Sequence, residues 1–238
     1  MKLNKYTALA VAAAAALTAC SEMDELVPQG GSALAEQVKE TNMLSPSRSE
    51  ATFNGMFTKI GAPESVFGSG RPDDWGILMM FLSGDLEAAD MIMPDSGYNW
   101  FSVCGELSSR SANYANPYVR YAAPYNLIAA ANEVIKSYPA DTDDPDALSK
   151  IAQARAIRAY AYLNLAPYFQ FSYAAGAKDE PCVPIVTEET TDFTNNPRAT
   201  VAEVYQLVVD DLTYAIQTLE GFQRPNKSRI DQQVAYGL

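Results

Sequence analysis

From Asp144 to Pro167 the chain carries its longest stretch of helical period. Asp144-Pro145 pairs a capping carboxylate with a proline at the first helical position, and Ile151, Ala154, Ile157, Ala161 and Leu165 follow at the spacing of one buried stripe. The pattern predicts a helix of about six turns. Alanine fills so many of its positions that other helices can pack close against it. A chain organised round such an element is directed toward helix-on-helix layers.

The flanking segments agree. Ser45-Pro46 repeats the cap-and-proline start, and Phe53, Met56, Phe57 and Ile60 form a stripe that Gly61 ends. A second helix is expected from Asp73-Asp74, whose carboxylates suit the positive end of a helix dipole, through Trp75, Ile77, Leu78 and Phe81 toward Ser83-Gly84, with Trp75 assigned to the core. Leu127, Ile128, Ala131, Val134 and Ile135 make another stripe that stops at Tyr138-Pro139, with Pro124 near its start or at a kink. Thr200-Val201-Ala202-Glu203 is a capping box, followed by Val204, Tyr205, Val208, Leu212, Ala215, Ile216 and Leu219 on the 3.6 period and by Gly221 as a stop.

Ser228 to Asp231 opens one more helix, of which about two turns precede Leu238, so the chain stops within an element. Strand character is confined to Cys182-Val183-Pro184-Ile185-Val186, where the prolines restrict it to an edge or an extended connection. The segment from Pro94 to Pro117 is rich in Ser, Gly, Asn and Tyr, lacks a clean period, and reads as a long ordered loop. The expected fold is all-α, mainly helical, built from antiparallel helix pairs with long loops.

Ahead of this region the chain reads as an address. Lys2 and Lys5 precede an apolar run from Tyr6 to Ala19, too short to span a bilayer, which is the pattern of a signal peptide. The run ends Leu17-Thr18-Ala19-Cys20, which resembles the bacterial lipobox, where cleavage leaves a lipidated cysteine as the first mature residue. Attached acyl chains make stable membrane attachment through Cys20 the expectation. Ser21-Glu22-Met23-Asp24-Glu25 follows, similar to the surface-export signal of Bacteroidetes lipoproteins. The expected division is 1–19 as signal peptide, 20–43 as a flexible lipidated tether with the breaker Pro28-Gln29-Gly30-Gly31, and 44–238 as one helical region. Cys104 and Cys182 remain, outside the cytosol, where a disulfide is permitted but not dictated.

Composition excludes whole classes of function. The 238 residues contain no histidine, so Ser-His-Asp and Cys-His catalysis and His-Glu-x-x-His zinc hydrolysis lack their central group. Acidic residues outnumber basic ones 29 to 17, a net charge of −12, and removing Lys2 and Lys5 with a leader leaves 29 against 15, or −14. A nucleic-acid partner is not expected. No phosphate loop, calcium loop or dinucleotide fingerprint is present, so no cofactor is implied.

Three blocks resemble one family. The first is Tyr125-Asn126-Leu127-Ile128-Ala129-Ala130-Ala131-Asn132. The second is Ala152 to Leu165, with its Arg158-Ala159-Tyr160-Ala161-Tyr162 core, followed by Pro181-Cys182-Val183-Pro184-Ile185. The third is Arg198-Ala199-Thr200-Val201-Ala202-Glu203-Val204-Tyr205 with Asp210-Asp211-Leu212 and Ala215. Their order and spacing are similar to those of the SusD/RagB-type outer-membrane lipoproteins. The resemblance implies a scaffold of tetratricopeptide-like helix pairs and non-catalytic capture of nutrients, typically glycans. It also implies delivery to a SusC-like TonB-dependent transporter at the outer membrane. Members of the family are longer, so the chain resembles an N-terminal portion.

Sugar capture asks for aromatic faces that stack on the apolar side of a ring, beside amides or carboxylates that bond its hydroxyls. In related proteins part of the site precedes the Tyr125 to Asn132 helix, which makes Trp100 and Asn99 the first candidates, with Tyr98, Tyr114 and Asn116 behind them. Trp100 could equally pack its loop against the helices. Arg155 and Arg158, three residues apart on one helix, call for carboxylates such as Asp210 or Asp211 from a packed neighbour. The pairs Asp73-Asp74, Asp143-Asp144 and Asp210-Asp211 invite a glycosidase reading, but consecutive helical residues do not face each other, and caps explain them without chemistry. The alternative from another class is a helical-repeat lipoprotein that binds peptides or a protein partner.

Overall fold

A computed structural model describes residues 45–68, 70–93, 100–105, 111 and 113–238. Cys20, Tyr98 and Asn99 lie outside the described residues. The helices are α1 (Pro46–Thr58), α2 (Ile77–Glu87), the single turn α3 (Ser102–Gly105), α4 (Ala115–Lys136), α5 (Pro145–Phe169), α6 (Val201–Thr218) and α7 (Gln232–Gly237). Between α5 and α6 run β1 (Pro181–Pro184) and β2 (Arg198–Thr200). The fold is mainly helical, as the periodicity predicts.

Helix α5 is the centre, with α4 against one side and α6 against the other. It starts as read from the sequence: an Asp144 carboxylate oxygen accepts from the Asp146 amide at 3.3 Å, and Pro145 occupies the first turn. Ala152, Ala154, Ala156, Ala159 and Ala161 are all inaccessible, and Ile151, Ile157 and Leu165 are buried with them. Alanine is what allows one helix to be buried on two flanks, since a larger side chain would push the neighbours outward. Helix α1 lays Phe53 and Met56 on this core, and α6 adds Val201, Val204, Val208, Ala215 and Leu219.

The capping box of α6 is complete. Thr200 Oγ1 accepts from the Glu203 amide at 3.2 Å, and Glu203 Oε2 accepts from the Thr200 amide at 2.7 Å. Gly221 takes a left-handed φ of 75° just beyond the helix end. Helix α7 is capped by Asp231, whose Oδ1 accepts from the Val234 amide at 2.9 Å, so it opens at the end of the expected Ser228 to Asp231 signal.

Strands β1 and β2 pair antiparallel, Pro181 opposite Thr200 and Pro184 opposite Arg198. The ribbon has only two strands, so prolines are tolerated at its ends. Arg198 reinforces it, donating from Nε to the Cys182 carbonyl at 2.6 Å and from a terminal nitrogen to the Pro181 carbonyl at 2.7 Å. Cys182 (in β1) and Cys104 (in α3) are both buried and are not bridged to each other.

Three expectations are corrected. Helix α2 starts at Ile77, not at Asp73-Asp74, and its N-cap is Gly76 at φ 60°, where an added Cβ would sit 3.0 Å from the Lys59 and Ile60 carbonyls. Trp75 is 48% exposed and does not belong to the core. Helix α4 reaches back to Ala115, inside the segment read as loop, with Pro117 in its first turn and Pro124 in its interior. A first-turn proline loses no helical hydrogen bond, so Pro117 does not delay the start. The burial of Asn116, Val119, Arg120 and Ala123 pays for the disruption at Pro124.

Arg158 is 2% exposed and ties the layers together. Its Nε and one terminal nitrogen grip Asp211 of α6 at 2.7 and 2.8 Å, and the other terminal nitrogen donates to Asn132 of α4 at 2.8 Å and to Glu188 after β1. Burial works to raise the Glu188 carboxyl, but the charge and hydrogen bond of Arg158 outweigh it and hold that group below its usual range. The pairing expected of Arg155 and Arg158 is thus made by Arg158 with Asp211, while Arg155 lies over the Tyr214 ring at 4.2 Å and Asp210 faces Gln206. Replacing Asp211 by Ala leaves a buried guanidinium short of a counter-charge and is expected to destabilise the fold by about 3–5 kcal/mol in urea unfolding. Asp210→Ala, on the surface, should change it by less than about 0.5 kcal/mol.

Candidate functional site

The segment between α1 and α2 carries the first part of the site. Asp74 is inaccessible and organises it: its carboxylate accepts from the Phe67 amide at 2.7 Å, from the Val66 amide at 3.0 Å and from Ser65 Oγ at 3.1 Å. Its carbonyl accepts from the Glu64 amide at 2.8 Å. Asn126 of α4 donates to the Ser65 carbonyl at 2.8 Å, which pins the turn to that helix. An aspartate that takes up successive amides does locally what a helix cap does, and that is why the pair Asp73-Asp74 looked like a helix start.

The turn holds Phe67 against Tyr118 of α4, ring centroids 5.5 Å apart. Arg71 lies beside them, its guanidinium carbon 4.6 Å from the Phe67 centroid and 4.6 Å from the Trp100 centroid. Asp73 fixes that guanidinium from the edge, accepting from Nε at 3.0 Å and from a terminal nitrogen at 2.8 Å. Phe67 and Trp100 are each 37% exposed and Tyr118 is 52% exposed. The described residues therefore present a continuous run Tyr118, Phe67, Arg71, Trp100, with ring surface open to solvent.

Tyr114, 47% exposed, stands at the N-cap of α4, one turn before Tyr118 on the same helix face. The series continues to Tyr121, which packs on Tyr125 and on Phe169 at 4.8 and 5.2 Å between centroids, and Tyr125 buries its hydroxyl on the Pro184 carbonyl at 2.6 Å. Burial pushes the Tyr125 phenol up. One face of α4 thus passes from exposed tyrosines in its N-terminal half to the partly buried Tyr125 in its middle.

Of the residues expected to touch a ligand, Trp100 and Tyr114 are exposed on this side of the molecule. Asn116 is not: it is 2% exposed and donates from its amide to Cys104 Sγ at 2.8 Å, because the start of α4 turns its position inward. Phe67, Arg71 and Tyr118 escaped the sequence reading. The spacing Tyr114, Tyr118, Tyr121, Tyr125 is a helical stripe that would have found Tyr118. Phe67 and Arg71 carry no such signal, since Gly68 and Gly70 read only as turn punctuation.

The acidic pairs are committed elsewhere. Asp73 holds Arg71, Asp74 holds backbone amides, Asp144 caps α5 and Asp211 holds Arg158.

Comparison with known proteins bears on what such a surface is for. The model of the SusD-like family, described as starch-binding and associating with the outer membrane, matches residues 82–238. The chain belongs to the SusD-like family. Among solved structures it is similar to a SusD-like carbohydrate binding protein from Bacteroides vulgatus, with 26% identity and a TM-score of 0.67 over 80% of this chain and 39% of that one. A SusD superfamily protein from Bacteroides fragilis matches at 22% identity and a TM-score of 0.62, over 80% of this chain and 44% of that one. Surface glycan-binding protein A from Bacteroides uniformis matches at 17% identity and a TM-score of 0.59, over 81% of this chain and 40% of that one. The chain spans about two fifths of the length of these structures. A search of curated proteins finds no match. Among the described residues no helix of this SusD-like chain is long and apolar enough to cross a membrane.

The Asp74 turn carries the exposed rings, so its loss should be felt twice. Asp74→Ala is expected to destabilise by about 3 kcal/mol and to red-shift tryptophan emission as Trp100 loses its support, read by urea unfolding. Asp192→Ala, in the exposed connection after β1, should stay within about 0.5 kcal/mol.

Proposed function

We propose that this SusD-like chain belongs to a cell-surface lipoprotein that binds a glycan without cleaving it and passes it to a SusC-like TonB-dependent transporter in the outer membrane. The observation that carries this reading is the exposed run Tyr118, Phe67, Arg71 and Trp100, with Tyr114 beside it. Sugar rings offer C–H faces that stack on such rings, and their hydroxyls accept from guanidinium edges and bond to phenols. The 26% identical Bacteroides vulgatus structure, a carbohydrate binding protein, supports the same class of ligand. Tyr98 and Asn99, next to Trp100 in the chain, remain candidates for the same surface.

Residues 1–19 are proposed as a signal peptide, 20–43 as a tether anchored through lipidated Cys20, and 44–238 as the SusD-like helical region. The acidic stretch after Cys20 supports an outward orientation, and the net charge of −12 argues against a nucleic-acid partner.

One observation favours a second reading. Helix α2 exposes Leu78, Phe81 and Leu82, and Trp75 just before it is exposed too, while Ile77, Met79, Met80 and Leu86 are buried. A helix apolar all round is ordinarily covered, which suits a peptide or protein partner.

Trp100→Ala and Tyr118→Ala are each expected to weaken binding of the preferred soluble glycan at least about tenfold, with far-UV circular dichroism unchanged, in isothermal titration. The glycan should keep its length through prolonged incubation. If instead peptides bind and Phe81→Ser abolishes that binding while Trp100→Ala does not, the second reading replaces the first. Cys20→Ser is expected to move the protein from the membrane to the soluble fraction, and unchanged membrane association would remove the anchor from the proposal.

A further inference from the structure

Arg71 lies among open aromatic faces, and a guanidinium presented beside stacking rings would recruit acidic sugars. Its two parallel N–H groups match a uronate carboxylate or a sulfate in bidentate geometry. In this fold one of its two bidentate edges is already occupied. Asp73 accepts from Nε at 3.0 Å and from one terminal nitrogen at 2.8 Å, and its charge offsets the one that would draw in an acidic sugar.

We infer that Asp73 is a specificity-determining residue that closes the aromatic site to acidic glycans and leaves it to uncharged ones. The inference rests on the glycan-binding reading above. Asp73 is 3% exposed, and the pair meets solvent only from the side of Arg71, whose side chain is 26% exposed. It cannot swing away freely, since its neighbour Asp74 is locked into the turn and the Asp74 amide donates to the Arg71 carbonyl at 3.1 Å. Chain segment 62–76 contains one cation, Arg71, against three carboxylates, Glu64, Asp73 and Asp74. Glu64 lies close to the backbone just before Arg71, with a carboxylate oxygen 3.4 Å from where a Cβ on Gly70 would stand. An incoming sugar carboxylate meets an arginine neutralised by Asp73 in a segment with an excess of negative charge, and like charges brought together are unfavourable. A neutral ring loses nothing by this arrangement: the aromatic faces remain, and Arg71 is held still beside them.

The test uses the full chain in isothermal titration. One panel holds neutral oligosaccharides of glucose, mannose, xylose and galactose, and the other oligogalacturonate and chondroitin sulfate, at low and at physiological ionic strength. The expected result is binding within the neutral panel at least about tenfold tighter than any acidic ligand, with the gap widest at low salt. An acidic ligand that binds as tightly as the best neutral one overturns the role of Asp73 while leaving the glycan reading intact. Binding of neither panel overturns both. Asp73→Asn is expected to raise the ratio of acidic to neutral affinity about fivefold at low salt, and an unchanged ratio in the folded variant overturns the inference. Should Asp73→Asn fail to fold, Asp73→Ser takes its place with the same expected rise in the ratio, and the wild-type comparison still overturns the inference if an acidic ligand binds as tightly as the best neutral one.

Discussion

A guanidinium buried as deeply as that of Arg158 must replace the water it has lost, and the architecture follows from how it does so. Desolvating such a charge is unfavourable by several kcal/mol unless carboxylates and hydrogen bonds take over. Asp211 comes from α6, Asn132 from α4 and Glu188 from the connection after β1, so one side chain of α5 fixes three separate parts of the chain. Tyr162 of α5 adds a second tie to that connection, accepting from the Val186 amide at 2.8 Å, and Tyr125 and Arg198 hold the carbonyls of β1. The residues that carry the family resemblance are therefore scaffold. They brace the return strand against the α4, α5 and α6 layer.

The candidate site is built out from this scaffold. Helix α4 is held by Tyr125, Asn132 and the core, and in its N-terminal half one side is buried through Val119 and Ala123 while Tyr118, with Tyr114 at the N-cap, is exposed on the other. Asn126 reaches from the same helix to the Ser65 carbonyl, and the Asp74 carboxylate completes the turn that sets Phe67 on Tyr118. A stacking surface needs rings that are rigid before the ligand arrives, since ordering them on binding would offset the gain. Here rigidity comes from a buried carboxylate on one side and a long packed helix on the other.

Much of the fold was legible along the chain. The α5 stripe and its cap, the α6 capping box and the Arg158 to Asp211 pairing all depend on residue types at helical spacing or on the need of a buried cation for a partner. The errors lie where one residue type has two local uses. Asp73-Asp74 has the chemistry of a helix cap, but their carboxylates are taken by Arg71 and by loop amides that only the folded turn presents. Pro117 and Pro124 look like breaks, yet one lies where no amide is needed and the other is held inside by packing. Asn116 has the right chemistry for a sugar amide and the wrong side of a helix.

Helix positions and caps could be read from residue order because they depend on neighbours three or four places apart, and the acidic bias of the chain already pointed away from a nucleic-acid partner. The grouping of Phe67, Arg71, Trp100 and Tyr118 has no such local cause. These residues come from a turn, from the segment before α3 and from α4, and no period relates them. Their meeting depends on the burial of Asp74 and on the packing of α4, long-range events in which the free energy of the core selects one arrangement among many that the local sequence allows.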